Sequence, residues 1–170
     1  QGMFVRVANA YADNEAHAHR LYEYMSKHWF MPATPILANG GTKRVLPISC
    51  FLPYVGDSRV GLTDHWTEAT WLSSMGGGIG SYWGDIRSDG ESTSSGSKST
   101  GVIPFLKVDD VLTLAVSQGV TRRGANAAYL DISHPEIEEF IGIRKPTGGD
   151  SNRKCLNLHH GVNISDTFMW

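Results

Sequence analysis

Residues 127–141 read AAYLDISHPEIEEFI, and this stretch joins a strand pattern to a helix pattern. A strand is predicted over 127–132. Ser133 and Glu136 then have the spacing of a capping box, in which the serine caps the first helical turn and the glutamate reaches back. Ile137, Phe140 and Ile141 follow at helical spacing. The stretch therefore predicts a strand that leads directly into a helix.

The same alternation continues in both directions. A helix is predicted over 13–28, capped by Asp13 and ended by the prolines of 32–35. A second helix is opened by Pro104, with Val108, Val111, Leu112 and Ala115 facing inward. The other predicted elements are a strand over 48–52, a helix over 63–74, a glycine-rich turn entering a strand over 75–86, a strand over 158–164 and a helix from Asp166. Alternating strands and helices indicate an α/β fold with mostly parallel strands. Residues 88–100 are almost all Ser, Gly, Thr or charged, which predicts a mobile loop.

Composition narrows the class of protein. The 170 residues carry a net charge of −2, so nothing indicates a nucleic-acid partner. No apolar run has the length of a membrane span, and no signal peptide is visible. Two cysteines do not make a disulfide framework, which favours a cytoplasmic protein with reduced thiols. Both ends look cut, because the chain opens on Gln1 and closes on apolar residues just after a helix begins.

Two glycine-rich runs imitate nucleotide-binding motifs. The run 76–80 does not match G-x-G-x-x-G and is better explained by close backbone packing in a turn. The run 90–99 lacks the adjacent Gly-Lys of a P-loop, so a P-loop phosphotransferase is disfavoured. Lys98 and the free amides of this loop still suit an anion such as phosphate. The seven histidines show no zinc-ligand spacing, so structural or surface roles are favoured and no metal is expected.

Cys50 admits two interpretations on chemistry alone. A cysteine in an apolar strand is usually a small buried residue. Cys50, however, follows Ser49, and Thr34 lies upstream in a proline-containing loop. A thiol beside hydroxyl groups near a strand end is also typical of a redox thiol in a cleft, so both interpretations stay open at this point.

A series of short segments resembles the large, catalytic subunit of ribonucleotide reductases from about residue 20 onward. In chain order the segments are Pro32-Ala33-Thr34-Pro35-Ile36, Ser49-Cys50, Gly56-Asp57-Ser58, Gly77-Gly78-Ile79-Gly80 with Arg87, Gly101-Val102-Ile103-Pro104-Phe105, Ser117-Gln118-Gly119 through Arg122-Arg123-Gly124-Ala125, Asn152-Arg153 and Gly161-Val162-Asn163-Ile164. Each segment alone is weak, but their order and spacing around a cysteine are specific. The resemblance implies the first half of a ten-stranded α/β barrel over 32–170, truncated at both ends, with residues 1–31 as a helical lead-in.

The resemblance also implies roles for single residues. Cys50 matches the first of two cysteines that reduce the substrate and become a disulfide after a thiyl radical on a third cysteine removes the ribose 3′ hydrogen. The substrate-binding residues by this resemblance are Thr34, Ser49, Gly78 and Arg122. The residues that bind the allosteric effector, a deoxynucleotide or ATP, are Asp57, Ser58, Arg87 and Lys98. Cys155 matches none of these motifs and is interpreted as structural.

The family further implies what the complete subunit needs. The radical cysteine and the second reducing cysteine would lie outside this segment, so the 170 residues alone are expected to be inactive. No cofactor is expected to bind this segment. A class I subunit would work as a homodimer with a small radical-generating subunit and with thioredoxin or glutaredoxin, whereas a class II subunit would use adenosylcobalamin. Class I with ribonucleoside diphosphates is favoured, and a nucleotide-binding module without catalysis is the alternative from another class.

Overall fold

The structure, a computed structural model, describes residues 2–44, 46–116 and 123–170, and the chain divides into two compact units, Gln1–Ser49 and Cys50–Trp170. The first unit is helical, with α1 (Gly2–Tyr11), α2 (Glu15–Ser26) and α3 (Thr34–Asn39). Its small core contains Val7 and Ala8 of α1 and Met25 of α2. The Arg6 guanidinium also donates to the Leu37 carbonyl oxygen at 2.7 Å, which ties α1 to α3.

The helical unit differs from the sequence prediction at both ends. The residue that caps α2 is Asn14, whose side chain accepts from the His17 amide, and not Asp13. The prolines near residue 32 do not only end a helix, because Pro35 lies in the first turn of α3, where its missing N–H costs no hydrogen bond. Ile36 of α3 packs on the same core, and the compact unit ends at Ser49.

The second unit alternates strands and helices. Its strands are β1 (Cys50–Phe51), β2 (Gly78–Tyr82), β3 (Asn126–Asp131) and β4 (His159–Asn163), and its helices are α4 (Arg59–Ser74), α5 (Ile103–Ala115), α6 (Ile137–Gly142) and α7 (Asp166–Met169), with a 3-10 turn at Ser151–Arg153. The four strands form one sheet in the order β1-β2-β3-β4, and every neighbouring pair is parallel. This confirms the predicted α/β fold.

One face of the sheet packs against the helices. The core there contains Trp83, Leu130, Phe140 and Leu158, all with fully buried side chains. Such a core is typical of a parallel sheet, whose strands feed helices that return over one face. Among the helices of the described residues, none combines the length and apolar character that a membrane span requires.

The buried face of α5 contradicts the prediction made from its apolar residues. Val108 and Val111 are exposed, and the buried side chains near them are Asp109, Asp110 and Thr113. The two aspartates are buried because each has specific partners. Asp110 accepts from the amides of residues 157 and 158 at 2.7 and 3.1 Å, and Asp109 binds groups on α4 and β3. Ile103 and Leu106 of α5 lie in the apolar core, but an apolar pattern cannot reveal the part of the helix that polar contacts hold.

The capping box predicted before α6 was wrong. Glu136 is the N-cap residue of α6 and makes no capping hydrogen bond with its side chain, so Ser133 and Glu136 do not form a capping box. Residues 88–100, predicted as a loop, form a hydrogen-bonded turn. Its arms are joined by Ser99 N to Glu91 O at 2.8 Å, and an antiparallel bridge pairs Ser92 with Lys98.

The glycine run 76–80 serves packing, as predicted. Gly76 has a φ of +90°, a conformation that favours glycine. A Cβ on Gly77 would lie 2.6 Å from the Phe51 ring, which is closer than packed atoms allow. The run ends inside the strand, since Gly78 and Gly80 are part of β2. Small residues here let β1 and the end of α4 approach the strand.

Candidate functional site

Cys50 lies on the face of the sheet that the helices do not cover. It pairs in register with Gly78, and Tyr82 pairs with Tyr129 further along the same ladder. Because side chains alternate along a strand and paired residues point the same way, Cys50, Tyr82 and Tyr129 share one face. All three side chains are exposed. The structure therefore contradicts the buried interpretation of Cys50.

The second cysteine has the opposite environment. Cys155 is fully buried in the core that contains Trp83 and Phe140. Burial raises the pKa of its thiol to about 12, with the nearby Asp110 carboxylate adding to the effect. A thiol held neutral in an apolar core is inert, which agrees with the structural role predicted for Cys155.

The carboxyl ends of the strands carry a polar network that the sequence analysis did not find. The Tyr82 hydroxyl donates to Asp131 Oδ2 at 2.5 Å, and Asn163 Nδ2 donates to Asp131 Oδ1 at 3.1 Å. The hydrogen bond to Asp131 raises the pKa of Tyr82 to about 12. A cavity of about 320 Å³ lies beside this network, lined by Leu52, Pro53, Tyr54, Val55, Gly80, Ser81, Tyr82, Tyr129 and Asn163. The signal was present, since all three polar residues occupy the last positions of their strands.

The predicted effector residues come together at the carboxyl end of β1 and after β2. Arg87 Nε donates to Asp57 Oδ2 at 2.7 Å, and Arg87 Nη1 donates to the carbonyl oxygen of Ser92 at 2.8 Å. Lys98 Nζ reaches Ser92 Oγ at 3.2 Å, so both cations lie against the serine-rich turn. Ser58 has a local partner, because its hydroxyl accepts from Gly61 N and caps α4. Asp57 and Arg87 each expose about a third of their side chains, 32% and 29%, so a ligand can reach both.

The predicted substrate residues are distributed between the two units. Thr34 is the exposed first residue of α3, and Ser49 is half-buried at the end of the first unit. Gly78 is buried in β2 of the second unit, opposite Cys50. Arg122 lies outside the described residues.

Buried polar groups connect α4, α5 and β3. His65 Nε2 and Asp109 Oδ2 are 3.1 Å apart with both side chains fully buried, and Asn126 Nδ2 donates to the same carboxylate oxygen at 3.1 Å. His65 also meets the Trp83 ring edge-on, with 5.4 Å between the ring centroids. This agrees with the structural role predicted for His65. In the part of the chain that the structure describes, no three His, Cys, Asp or Glu side chains are grouped as a metal site.

Comparison with known proteins shows which family the chain resembles. Residues 48–170 match the model described as "Ribonucleotide reductase, barrel domain", and residues 1–44 match "Ribonucleotide reductase, all-alpha domain". The chain is 52% identical over 170 residues to the ribonucleoside-diphosphate reductase large subunit of Invertebrate iridescent virus 3, covering 99% of this chain and 26% of that protein. It is 39% identical over 175 residues to the alpha subunit of the Helicobacter pylori J99 enzyme, covering 99% and 22%.

A solved structure agrees in fold. The alpha subunit of the class Id ribonucleotide reductase of Actinobacillus ureae superposes with a TM-score of 0.79 at 30% identity, covering 98% of this chain and 30% of that one. The chain belongs to the ribonucleotide reductase large-subunit family. Its α/β sheet is part of that family's barrel. It spans about a quarter of the length of the viral relative.

Proposed function

We propose that this chain is a segment of the catalytic subunit of a class I ribonucleotide reductase, which reduces ribonucleoside diphosphates to deoxyribonucleotides for DNA synthesis. The observation that carries the proposal is the exposed thiol of Cys50 on the uncovered face of a parallel sheet, in a chain of this family. Relatives named ribonucleoside-diphosphate reductase and a class Id structural relative support the choice of class and substrate.

Cys50 would act as one half of a reducing dithiol. A thiyl radical on a third cysteine would take the 3′ hydrogen of the ribose and later return it. The 2′ hydroxyl would leave as water, while the dithiol supplies two electrons and two protons and becomes a disulfide. A second dithiol, from thioredoxin or glutaredoxin, would then restore the pair by exchange. Cys155 does not suit the role of partner because it is buried in the core.

The uncovered face of the sheet supports a larger barrel around the reaction. All-parallel sheets are normally covered on both faces. Here the face with Cys50 also exposes Tyr82 and Tyr129, and Leu52 beside them is 83% exposed. The remainder of the full-length subunit would cover this face and would supply the radical cysteine and the second reducing cysteine. Thr34, Ser49, Gly78 and Arg122 would hold the substrate nucleotide.

The Asp57–Arg87 pair would bind the allosteric effector. Arg87 has donors left beyond the two that the structure uses, and a guanidinium can hold two phosphate oxygens at once. Asp57 would accept from the deoxyribose hydroxyl, with Ser58 beside it at the start of α4. Lys98 adds a second positive charge beside the same serine-rich turn. A deoxynucleotide triphosphate or ATP has the charge that this group of side chains would neutralise.

The complete subunit would act in the cytoplasm as a homodimer with a small radical-generating subunit. Exposed apolar side chains on α4 and α5 support self-association. They are Val60, Trp71, Val108, Val111 and Leu114.

The direct test is a turnover assay of the full-length subunit with ribonucleoside diphosphates, the small subunit and a dithiol. Deoxynucleotide formation that needs the small subunit supports the proposal. Turnover that needs adenosylcobalamin in its place would show a class II enzyme. Nucleotide binding without turnover under either condition would leave a binding module only.

Replacing Arg87 with alanine is expected to weaken effector binding to the full-length subunit by about 1.5–3 kcal/mol, the range for a hydrogen bond to a charged group. The change also leaves the Asp57 carboxylate without its guanidinium partner, and the unpaired carboxylate would repel a triphosphate. Isothermal titration calorimetry measures the change in effector affinity. The double variant Arg87→Ala/Asp57→Asn separates the lost hydrogen bond from the repulsion, because it also removes the charge of the Asp57 carboxylate. Arg144→Ala, an exposed arginine after α6, is the control. Equal effector affinity in Arg87→Ala and the unchanged protein would place the effector elsewhere.

A further inference from the structure

The turn between β3 and α6 holds both ends of the serine-rich turn. Glu136 Oε2 accepts from the amide of Val102 at 2.9 Å and from the amide of Asp89 at 3.3 Å. These two residues flank the segment 90–101, although they are far from Glu136 in the chain. One carboxylate oxygen therefore closes the base of the whole segment.

His134, two residues earlier, extends this contact to the residue before Arg87. The Glu136 amide donates to His134 Nδ1 at 3.1 Å, so Nδ1 is an acceptor and the proton is on Nε2. Nε2 then donates to the Ile86 carbonyl oxygen at 3.0 Å. His134 is buried, so the imidazole is held in one orientation. The β3–α6 turn is thus hydrogen-bonded to the chain immediately before Arg87, at Ile86, and again after it, at Asp89.

The position of the Glu136 carboxylate depends on Gly101. Gly101 has a φ of +80°, and a Cβ placed there would lie 2.3 Å from Glu136 Oε1. Only glycine satisfies both conditions. The Glu136 side chain is 9% exposed, and Arg153 Nη2 lies 3.9 Å from Oε1, which offsets the buried negative charge. The carboxylate therefore occupies a specific site, and its contacts are not an accident of a loose surface side chain.

The segment between these anchors is internally bonded. Gly90 N donates to Ser99 O at 3.0 Å, and Thr93 N donates to Ser97 O at 2.8 Å. The Ser99 hydroxyl also reaches the Arg87 carbonyl oxygen at 3.5 Å. Because its arms are joined, a displacement of the base would carry Arg87 and the turn together.

We propose that His134 and Glu136 are positioning residues for the effector site, and that effector affinity depends on this β3–α6 turn through the placement of Arg87 and the serine-rich turn 88–100. The inference rests on the proposed role of Arg87 in effector binding. It adds the source of that site's geometry, which lies in a different part of the chain from the residues assigned to the nucleotide.

The test compares three variants of the full-length subunit at position 136 with Glu138→Ala, an exposed carboxylate two residues away. Glu136→Ala removes the acceptor, and we expect faster hydrogen exchange at the Asp89 and Val102 amides with about tenfold weaker dATP binding. Glu136→Gln can keep an oxygen at the position of Oε2. Its NH₂ would then take the position of Oε1, which has no hydrogen-bond partner among the described residues. We therefore expect dATP affinity to fall by only about threefold. Glu136→Asp is too short to reach both amides and serves if the alanine variant does not fold.

The outcomes separate this inference from the proposed function. Unchanged exchange at both amides in Glu136→Ala and Glu136→Asp would overturn it. So would faster exchange with normal dATP affinity, provided that Arg87→Ala weakens binding, and the effector site would then stand without the anchor. If neither Arg87→Ala nor Glu136→Ala changes dATP affinity, both the effector site and its anchor are wrong. Equal losses in Glu136→Gln and Glu136→Ala would also count against the anchor, since the retained oxygen would then have no effect.

Discussion

Replacing Cys50 with serine is expected to reduce multiple-turnover deoxynucleotide production by the full-length subunit to background. Serine cannot give up electrons to form a disulfide, so the reducing dithiol would lack one of its two thiols. The fold should change little, because Cys50 is exposed and exposed substitutions usually alter stability by less than about 0.5 kcal/mol. Steady-state product formation with thioredoxin or dithiothreitol, together with a thermal melt, measures both effects.

Cys155→Ser provides a matched control with the opposite expectation. It places a hydroxyl in the core beside Phe140 and should cost about 1–3 kcal/mol of stability. Turnover per folded molecule should remain near that of the unchanged subunit. A Cys50→Ser subunit with a normal melt and normal turnover would eliminate the redox role of Cys50. A large loss of stability in that variant would instead indicate a packing role.

Replacing Asp110 with alanine is expected to destabilise the full-length subunit by about 1–3 kcal/mol. Asp110 Oδ1 accepts from the amides of Asn157 and Leu158, and Oδ2 accepts from Asn157 Nδ2 at 3.2 Å. Lys107 Nζ adds an ion pair at 3.4 Å. The Leu158 amide is buried, and a buried donor left without an acceptor costs about 1–3 kcal/mol, whereas the donors of the exposed Asn157 can turn to water. Urea denaturation of the subunit measures the loss.

Two further variants locate the effect at the carboxylate. Asp110→Asn can keep an oxygen for the two backbone amides but turns an NH₂ toward Asn157 Nδ2, so an intermediate loss is expected. Asp64→Ala, on the exposed side of α4, should remain within about 0.5 kcal/mol of the unchanged protein. If Asp110→Ala were as stable as Asp64→Ala, the polar attachment of α5 to the start of β4 would carry no net stability.

The alternation of elements in the second unit was predictable because each strand and helix carries its own local pattern. The limits of β3 and β4 came within one residue of the prediction. The buried face of α5 was not predictable, since the position of Asp110 is decided by amides that lie 47 and 48 residues away in the chain. Glu136 was misassigned for the same reason, because its acceptor oxygen serves distant amides in place of its own helix.

Residues of the candidate site could be grouped from the sequence only where the family resemblance assigned them a shared role. Asp57 and Arg87 are 30 residues apart and were grouped by that resemblance, and the structure brings them to 2.7 Å. The exposure of Cys50 could not be read from an apolar strand, because it depends on which face the helices cover. The network of Tyr82, Asp131 and Asn163 was missed because each residue alone is ordinary, and only the parallel register aligns them.

The order of strands in the sheet is the order of strands in the chain, and this affects how the protein is made. Each strand pairs with the one synthesised just before it, so no strand has to be inserted between two that are already joined. The sheet can lengthen by one strand whenever a new crossover has left the ribosome, and each such step closes a loop of moderate length. Co-translational folding of this kind would limit the time during which the apolar side of a nascent strand, such as Leu130 in β3, stands exposed to aggregation.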